Sequence, residues 1–302
     1  MRAVTLPDAD DLAAARAVVA QHLAPTPLHG PLKLETLQPT RSFKVRGALA
    51  ALARLPAGER VVTVSAGNHG LGLAWAAARL GRAATIVVPA TASPAKLDAL
   101  EALGADLVRH GSSYDEAEAH ALELVRAGAA FVSPYNDRDV IAGQATLGAE
   151  LPDGPLCVVC PVGGGGLAAG LALWARARGD ARVVGVEAAA SRAVSAAVAA
   201  GRTVGVEVSA TLADGLAGNL EAGTVTPQAL DGVELHAVGE DAIAGAIRFL
   251  AREHALIAEG AAAVAVAAVR SGRVAARAGE RLVVVLTGGN IAPAVLARIL
   301  AA

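Results

Sequence analysis

The chain has 302 residues, 54% hydrophobic and 18% charged, with a formal net charge of -2. That is enough apolar material for a sizeable core and enough length for two globular lobes. The arginines are scattered and form no basic stripe, and the longest apolar run, residues 261–269, is about half of a bilayer span, so neither nucleic acid nor membrane is an expected partner.

The opening MRAVTLPDADD turns acidic where a secretory signal would be basic and then apolar, so a cytoplasmic location is expected. Short β-branched runs then alternate with alanine-rich stretches of helical length. That pattern belongs to parallel sheets covered by helices on both faces, so the fold class is α/β. Strands are predicted at 61–64, 84–88, 106–109, 131–133, 157–160, 183–186, 234–237 and 282–286, with helices between them. Residues 94–103 and 114–127 carry apolar positions at helical spacing, with Ser93 and Ser112 or Ser113 as caps and Gly104 and Gly128 as ends. Cys157 and Cys160 are spaced C-x-x-C, but in a strand residues three apart face opposite sides. Two buried apolar side chains are expected there, and no redox or zinc site. No linker or repeat divides the chain, so sheet grouping must. Residues 56–137 are expected to form a small mobile substrate domain and residues 1–55 with 138–302 a larger one, with a ligand in the groove between.

Four local patterns carry chemistry. Ser42-Phe43-Lys44-Val45-Arg46-Gly47-Ala48 sets a lone lysine at a helix start, where the dipole prefers anions. Such a residue is either a solvated surface lysine or a nucleophile with a depressed pKa. Ser65-Ala66-Gly67-Asn68-His69-Gly70-Leu71-Gly72 joins a strand to a helix, as either a capped glycine-rich turn or an anion-binding loop. Gly163, Gly164, Gly165 and Gly166 follow an apolar strand, and four consecutive glycines suit the close approach of backbone to a phosphate. Gly163, Gly165 and Ala168 also fit G-x-G-x-x-A, with Glu187 ending the next strand, so a nicotinamide-dependent oxidoreductase stays open as a rival, as does a binding protein without turnover. Thr287-Gly288-Gly289-Asn290 ends the last strand, where a hydroxyl could meet a ring nitrogen or simply turn the chain.

In this order the four patterns resemble the fold-type II pyridoxal-phosphate enzymes, specifically the serine/threonine dehydratase and serine racemase group. The likeness runs from Thr26-Pro27-Leu28 through Val140-Ile141-Ala142-Gly143-Gln144-Ala145-Thr146 to Asn290. It implies a tryptophan synthase β-like fold, two three-layer α/β/α lobes with the cofactor in the cleft. Lys44 would hold pyridoxal 5'-phosphate as a Schiff base and serve as the catalytic base. Phe43 would pack beside the ring, Asn68 would bond its phenolic oxygen, and Thr287 would face its nitrogen. Gly163, Gly164, Gly165, Gly166 and the amide of Leu167 would bind the phosphate, and Ser65, Asn68 and His69 would clasp the substrate carboxylate. The implied activity is β-elimination of a small hydroxy amino acid, L-threonine or L-serine, giving a 2-keto acid and ammonia, in a homodimer or higher homo-oligomer. Serine racemase and 3-hydroxyaspartate dehydratase are the alternatives within the group.

Two departures from the group pattern narrow this. Racemases place a serine where this chain has Ala66, so elimination is expected over racemisation. Metal-dependent members carry an aspartate six residues after the strand-end glutamate, and Ala193 stands at that offset from Glu187, so no metal is expected. The chain ends soon after Asn290, so a C-terminal regulatory domain is not expected. Tyr135, Asn136 and the segment Thr211-Leu212-Ala213-Asp214-Gly215-Leu216-Ala217-Gly218 are candidates to line the substrate pocket.

Overall fold

A computed structural model describes residues 4–301; residues 1–3, where the reading of an acidic start begins, and residue 302 lie outside the described residues. In chain order the elements are α1 (Ala9–His22), β1 (Leu28–His29), β2 (Leu32–Leu34), α2 (Lys44–Arg54), β3 (Val61–Val64), α3 (Asn68–Arg79), β4 (Ala84–Val88), α4 (Pro94–Glu101), β5 (Asp106–Arg109), α5 (Tyr114–Arg126), β6 (Ala130–Phe131) and α6 (Arg138–Ala145). They continue as β7 (Leu156–Pro161), α7 (Gly166–Arg178), β8 (Ala181–Ala188), α8 (Ala193–Ala200), α9 (Thr226–Ala229), β9 (Glu234–Val238), α10 (Glu240–His254), α11 (Gly260–Arg270), β10 (Arg281–Leu286) and α12 (Pro293–Ala301). The strands form a six-stranded sheet in the order β1-β2-β10-β7-β8-β9 and a four-stranded sheet in the order β5-β4-β3-β6. Every pairing is parallel except the β1–β2 hairpin, by which the N-terminal segment joins the larger sheet.

Both faces of the central strands are covered, as parallel sheets require. In β7 the side chains of Cys157 and Val159 pack into the cluster that contains α11, while Val158 and Cys160 pack on the other face against α7. The two cysteines are buried, unpaired and on opposite faces of the sheet. The apolar run 261–269 becomes α11, buried along almost its whole length, as a helix apolar on all sides must be. Among the described residues no helix is long and apolar enough to cross a membrane.

Most strand and helix positions agree with the sequence reading, and the differences have local causes. The strand expected at 131–133 is Ala130–Phe131, because the chain turns at Pro134 and the Ser133 hydroxyl is spent on Glu221 and on the N–H of Asn136. Ser113 caps α5 through the N–H of Glu116 at 3.2 Å, whereas Ser93 at the start of α4 makes no side-chain cap bond. Gly104 and Gly128 take the left-handed conformation just beyond their helices, with φ of 74° and 100°.

A buried charge cluster anchors the start of α2. Arg46 bonds both oxygens of Glu35 at 2.8 Å and both oxygens of Glu150, at 2.6 and 2.9 Å. Lys33 from β2 joins Glu150 at 2.6 Å. Burial alone would raise the Glu35 carboxyl, but the Arg46 guanidinium outweighs it and holds the group below its ordinary value. Cations and anions balance within the cluster, which is the condition for tolerating charge there. Two residues upstream of Arg46 lies Lys44.

Candidate active site

Lys44 is the first residue of α2, and the loop before it is tied to the end of β10. Phe43 N–H donates to Thr287 O at 3.0 Å, Gly289 N–H donates to Arg41 O at 2.9 Å, and Asn290 Nδ2 donates to Thr40 O at 2.9 Å. These bonds hold Arg41 at φ 56°, a conformation that few residues with a side chain adopt. The loop thereby turns Lys44 into the cleft between the two sheets, where Nζ donates to Pro134 O at 2.8 Å and stands 5.3 Å from the Phe43 ring centre. Burial pulls its pKa down to about 8, against the opposing charge of Glu259. An appreciable fraction of the amine is therefore neutral and nucleophilic near neutral pH.

β3 delivers the second loop. Ser65 Oγ accepts from Gly67 N–H at 3.2 Å, and α3 starts at Asn68 with no side-chain cap. Its first intrahelical bond is Leu71 N–H to Gly67 O, so the N–H groups of Asn68, His69 and Gly70 have no acceptor among the described residues and are available to an anion. His69 is only 3% exposed, and its Nε2 lies 3.0 Å from Thr63 Oγ1 and 3.1 Å from Val132 O. The carbonyl requires Nε2 to carry the proton, and burial, then the charge of Lys44, pushes the ring pKa down to about 3. A neutral ring that spends its N–H on the sheet has no donor for a carboxylate. Its backbone N–H is the donor that His69 offers to the expected carboxylate.

β7 delivers the glycine loop. A Cβ on Gly163 would stand 3.0 Å from Leu216 Cα, on Gly165 2.9 Å from Thr226, and on Gly166 2.9 Å from Tyr135 Cα, while on Gly164 it would overlap the Tyr135 ring. Packing against Tyr135, Leu216 and Thr226 therefore demands glycine as firmly as a ligand would. Gly165 has φ 87°, and α7 starts at Gly166, so the N–H groups of Gly166 and Leu167, which line the cleft, are left without intrahelical acceptors. Thr287, 4% exposed at the end of β10, closes the opposite wall.

The cleft has a volume of about 210 Å³ and brings together Phe43, Lys44, Ser65, Asn68, His69, the four glycines, Leu167 and Thr287. Tyr135, Gly215 and Leu216 also line it, but Asn136 does not: its Oδ1 accepts from Val225 N–H at 3.1 Å. Glu187 lies elsewhere, with its carboxylate accepting from Val194 N–H at 3.0 Å, Ser195 N–H at 3.2 Å and the Ser195 hydroxyl at the start of α8. The rival oxidoreductase reading loses its ribose ligand there. Sequence reasoning missed Glu259, which caps α11, lines the cleft and bonds Asn68 Nδ2 through Oε1 at 2.6 Å. A lone acid directly before a wholly apolar helix was the available signal.

These features fit a phosphorylated aldehyde. Its carbonyl needs a neutral amine, its phosphate a cradle of N–H groups, and its flat ring a narrow slot with donors at the edges. Residues 19–288 match the family described as pyridoxal-phosphate dependent enzyme. The chain is 42% identical over 271 residues to an L-threonine ammonia-lyase of Thermotoga maritima, covering 86% of this chain and 67% of that protein. It is 41% identical over 269 residues to one from Geobacter sulfurreducens, covering 86% and 66%. It spans 54% of a biosynthetic L-threonine dehydratase of Burkholderia multivorans, so the chain covers between half and two thirds of the length of these curated relatives. Among solved structures it resembles the processed form of threonine deaminase isoform 2 from Solanum lycopersicum, with a TM-score of 0.87 at 31% identity over 98% of this chain and 95% of that one. Maize serine racemase superposes with a TM-score of 0.89 at 26% identity over 97% of both. The chain therefore belongs to the family of pyridoxal-phosphate dependent enzymes, and pyridoxal phosphate is its cofactor.

Proposed function

We propose that the protein is an ammonia-lyase that eliminates water from a small hydroxy amino acid, L-threonine or L-serine, and releases a 2-keto acid and ammonia. The observation that carries this reading is that the Lys44 amine and the open N–H groups of α3 face one cleft, so a substrate held by its carboxylate presents its α-carbon to a base. The identity to threonine ammonia-lyases supports it.

When bound, pyridoxal phosphate supplies a conjugated ring that accepts electron density from the substrate's α-carbon. Gly163, Gly164, Gly165, Gly166 and the Leu167 amide would hold the phosphate, Phe43 would pack beside the ring, Thr287 would offer a neutral hydroxyl to its nitrogen, and Asn68 would donate to its phenolic oxygen. Ser65 Oγ and the backbone N–H groups of Asn68 and His69 hold the substrate carboxylate. Lys44 Nζ, steadied by Pro134 O, would take the α-proton and return it to the departing β-hydroxyl, which leaves as water. The released enamine is hydrolysed to keto acid and ammonia. Ala66 brings no proton donor, which favours elimination over racemisation.

Residues 56–137, built on the smaller sheet, are the part proposed to close over the substrate. A cytoplasmic location is consistent with two unpaired, buried cysteines, and a homodimer or higher homo-oligomer is the assembly proposed from the family resemblance. The decisive assay incubates cofactor-loaded protein with L-threonine and L-serine. A 2-keto acid and an equal amount of ammonia are expected, and their absence with both substrates would overturn the reading.

A further inference from the structure

Glu259 is held on two sides. Its N–H donates to Gly288 O at 3.1 Å, and its Oε1 accepts from Asn68 Nδ2 at 2.6 Å. Asn68 Oδ1 in turn accepts from Asn290 Nδ2 at 2.7 Å, and the same Asn290 nitrogen donates to Thr40 O at 2.9 Å. This chain of bonds runs in one direction only. Thr40 O can only accept, so Asn290 presents its NH2, Asn68 must answer with oxygen, and the Asn68 NH2 must face the carboxylate. A flipped Asn68 would set oxygen against the carboxylate and NH2 against NH2. One N–H of Asn68 is used by Glu259, and the second is left over in a residue that lines the cleft. Gly288 makes room for the pair, because a Cβ there would overlap Glu259 Oε1 and stand 3.2 Å from Asn68 Nδ2.

We propose that Glu259 is a positioning residue of the cofactor seat: its carboxylate fixes the Asn68 amide so that the remaining N–H points at the ring oxygen of pyridoxal phosphate, and it places a negative charge opposite Lys44. The inference rests on the placement of Asn68 against that ring oxygen proposed above. A residue that only filled space would leave the cofactor's electronics unchanged, whereas Glu259 makes them depend on its own protonation. Burial, opposed by the Asn68 bond, raises its carboxyl to about 7. The charged groups facing it are Lys44 from α2, Lys96 from α4 and Asp214 from the turn before Gly215. On protonation the bond to Asn68 loses its charge assistance, so the visible band of the Lys44–cofactor linkage should respond to pH in that range.

The test uses cofactor-loaded wild type, Glu259→Gln, Glu259→Ala, Asn68→Ala and the double variant Glu259→Ala/Asn68→Ala. Glu259→Ala is expected to weaken cofactor binding roughly ten- to hundredfold, with the double variant no weaker than Asn68→Ala alone. Glu259→Gln should keep most of the affinity and lose the pH response of the band between about pH 6 and 8, the window around the raised Glu259 value. Losses that multiply in the double variant, or a wild-type pH response in Glu259→Gln, would overturn the proposal. Should Glu259→Ala fail to fold, the isosteric Gln variant decides alone. A wild-type protein without a borohydride-trappable band at Lys44 would instead be a failure of the cofactor seat itself.

Discussion

The ring of Tyr135 occupies the space that a side chain on Gly164 would need, and the Tyr135 hydroxyl is pinned by accepting from Glu221 N–H at 2.8 Å. Because the ring cannot swing away without breaking that bond, Gly164→Ala must shift the glycine loop itself. Overpacking of this kind costs about 1–3 kcal/mol, so cofactor affinity is expected to fall roughly tenfold or more. A cofactor titration read by visible absorbance checks it. Adding Tyr135→Ala should restore part of the lost affinity, and no recovery would mean that the glycine is needed on the ligand side alone.

Lys44 makes two expectations measurable. Lys44→Ala should abolish borohydride trapping and lower keto-acid formation by roughly 10³-fold or more, the loss of both the cofactor tether and the base. In the wild type the amine titrates near 8 where an ordinary lysine titrates at 10.5. Capture of pyridoxal phosphate by the cofactor-free protein needs the neutral amine, so its rate should rise with pH up to about 8 and level off above it. A stopped-flow profile still rising steeply at pH 10 would show that the amine is not desolvated as the structure has it.

The Arg46 cluster governs stability. Arg46→Leu leaves Glu35 and part of Glu150 as uncompensated buried carboxylates, expected to cost about 3–5 kcal/mol in denaturant unfolding. The pH dependence has a definite sign. The Glu35 carboxyl titrates below its unfolded value of 4.5 in the folded wild type. Its contribution is therefore fully present above pH 4.5 and lost as the pH falls through the lower folded value. In Arg46→Leu that acid-labile component should vanish, and the stability curve should flatten below pH 4.5.

How far the sequence led depended on the range of the signal. β3, β4 and β5 coincide residue for residue with the runs read as strands, because β-branched density and bounding turns are local properties. The glycine run stood out for the same reason, whereas Lys44, locally either a surface lysine or a nucleophile, drew its expected role from the resemblance of four distant segments taken together. What could not be read were partners brought together by folding: Tyr135 behind Gly164, Glu150 on Arg46, and Glu259, 191 residues from the Asn68 it holds. The partners of the His69 ring, Thr63 and Val132, were hidden in the same way.

Substrate choice follows from charge in the cleft. Among the described residues that line it, Lys44 and Glu259 are the charged side chains, since the His69 ring is neutral. In the proposed mechanism Lys44 is committed to the cofactor and the α-proton, and Asp214 adds to the negative surroundings of Glu259. A second carboxylate on the substrate would meet repulsion with no cation to answer it, and such like-charge placement costs several kcal/mol when desolvated. 3-Hydroxyaspartate is therefore expected to react with kcat/KM at least roughly tenfold below that of L-serine or L-threonine. With no proton donor at Ala66, D-serine should not accumulate from L-serine. A panel of these amino acids, with keto acid assayed by reduction and product chirality by chromatography, checks both expectations at once. Efficient turnover of 3-hydroxyaspartate would show that Lys96 or another cation reaches the substrate when the cleft closes. D-serine formation at a rate comparable to elimination would show that a second proton donor reaches the far face of the α-carbon.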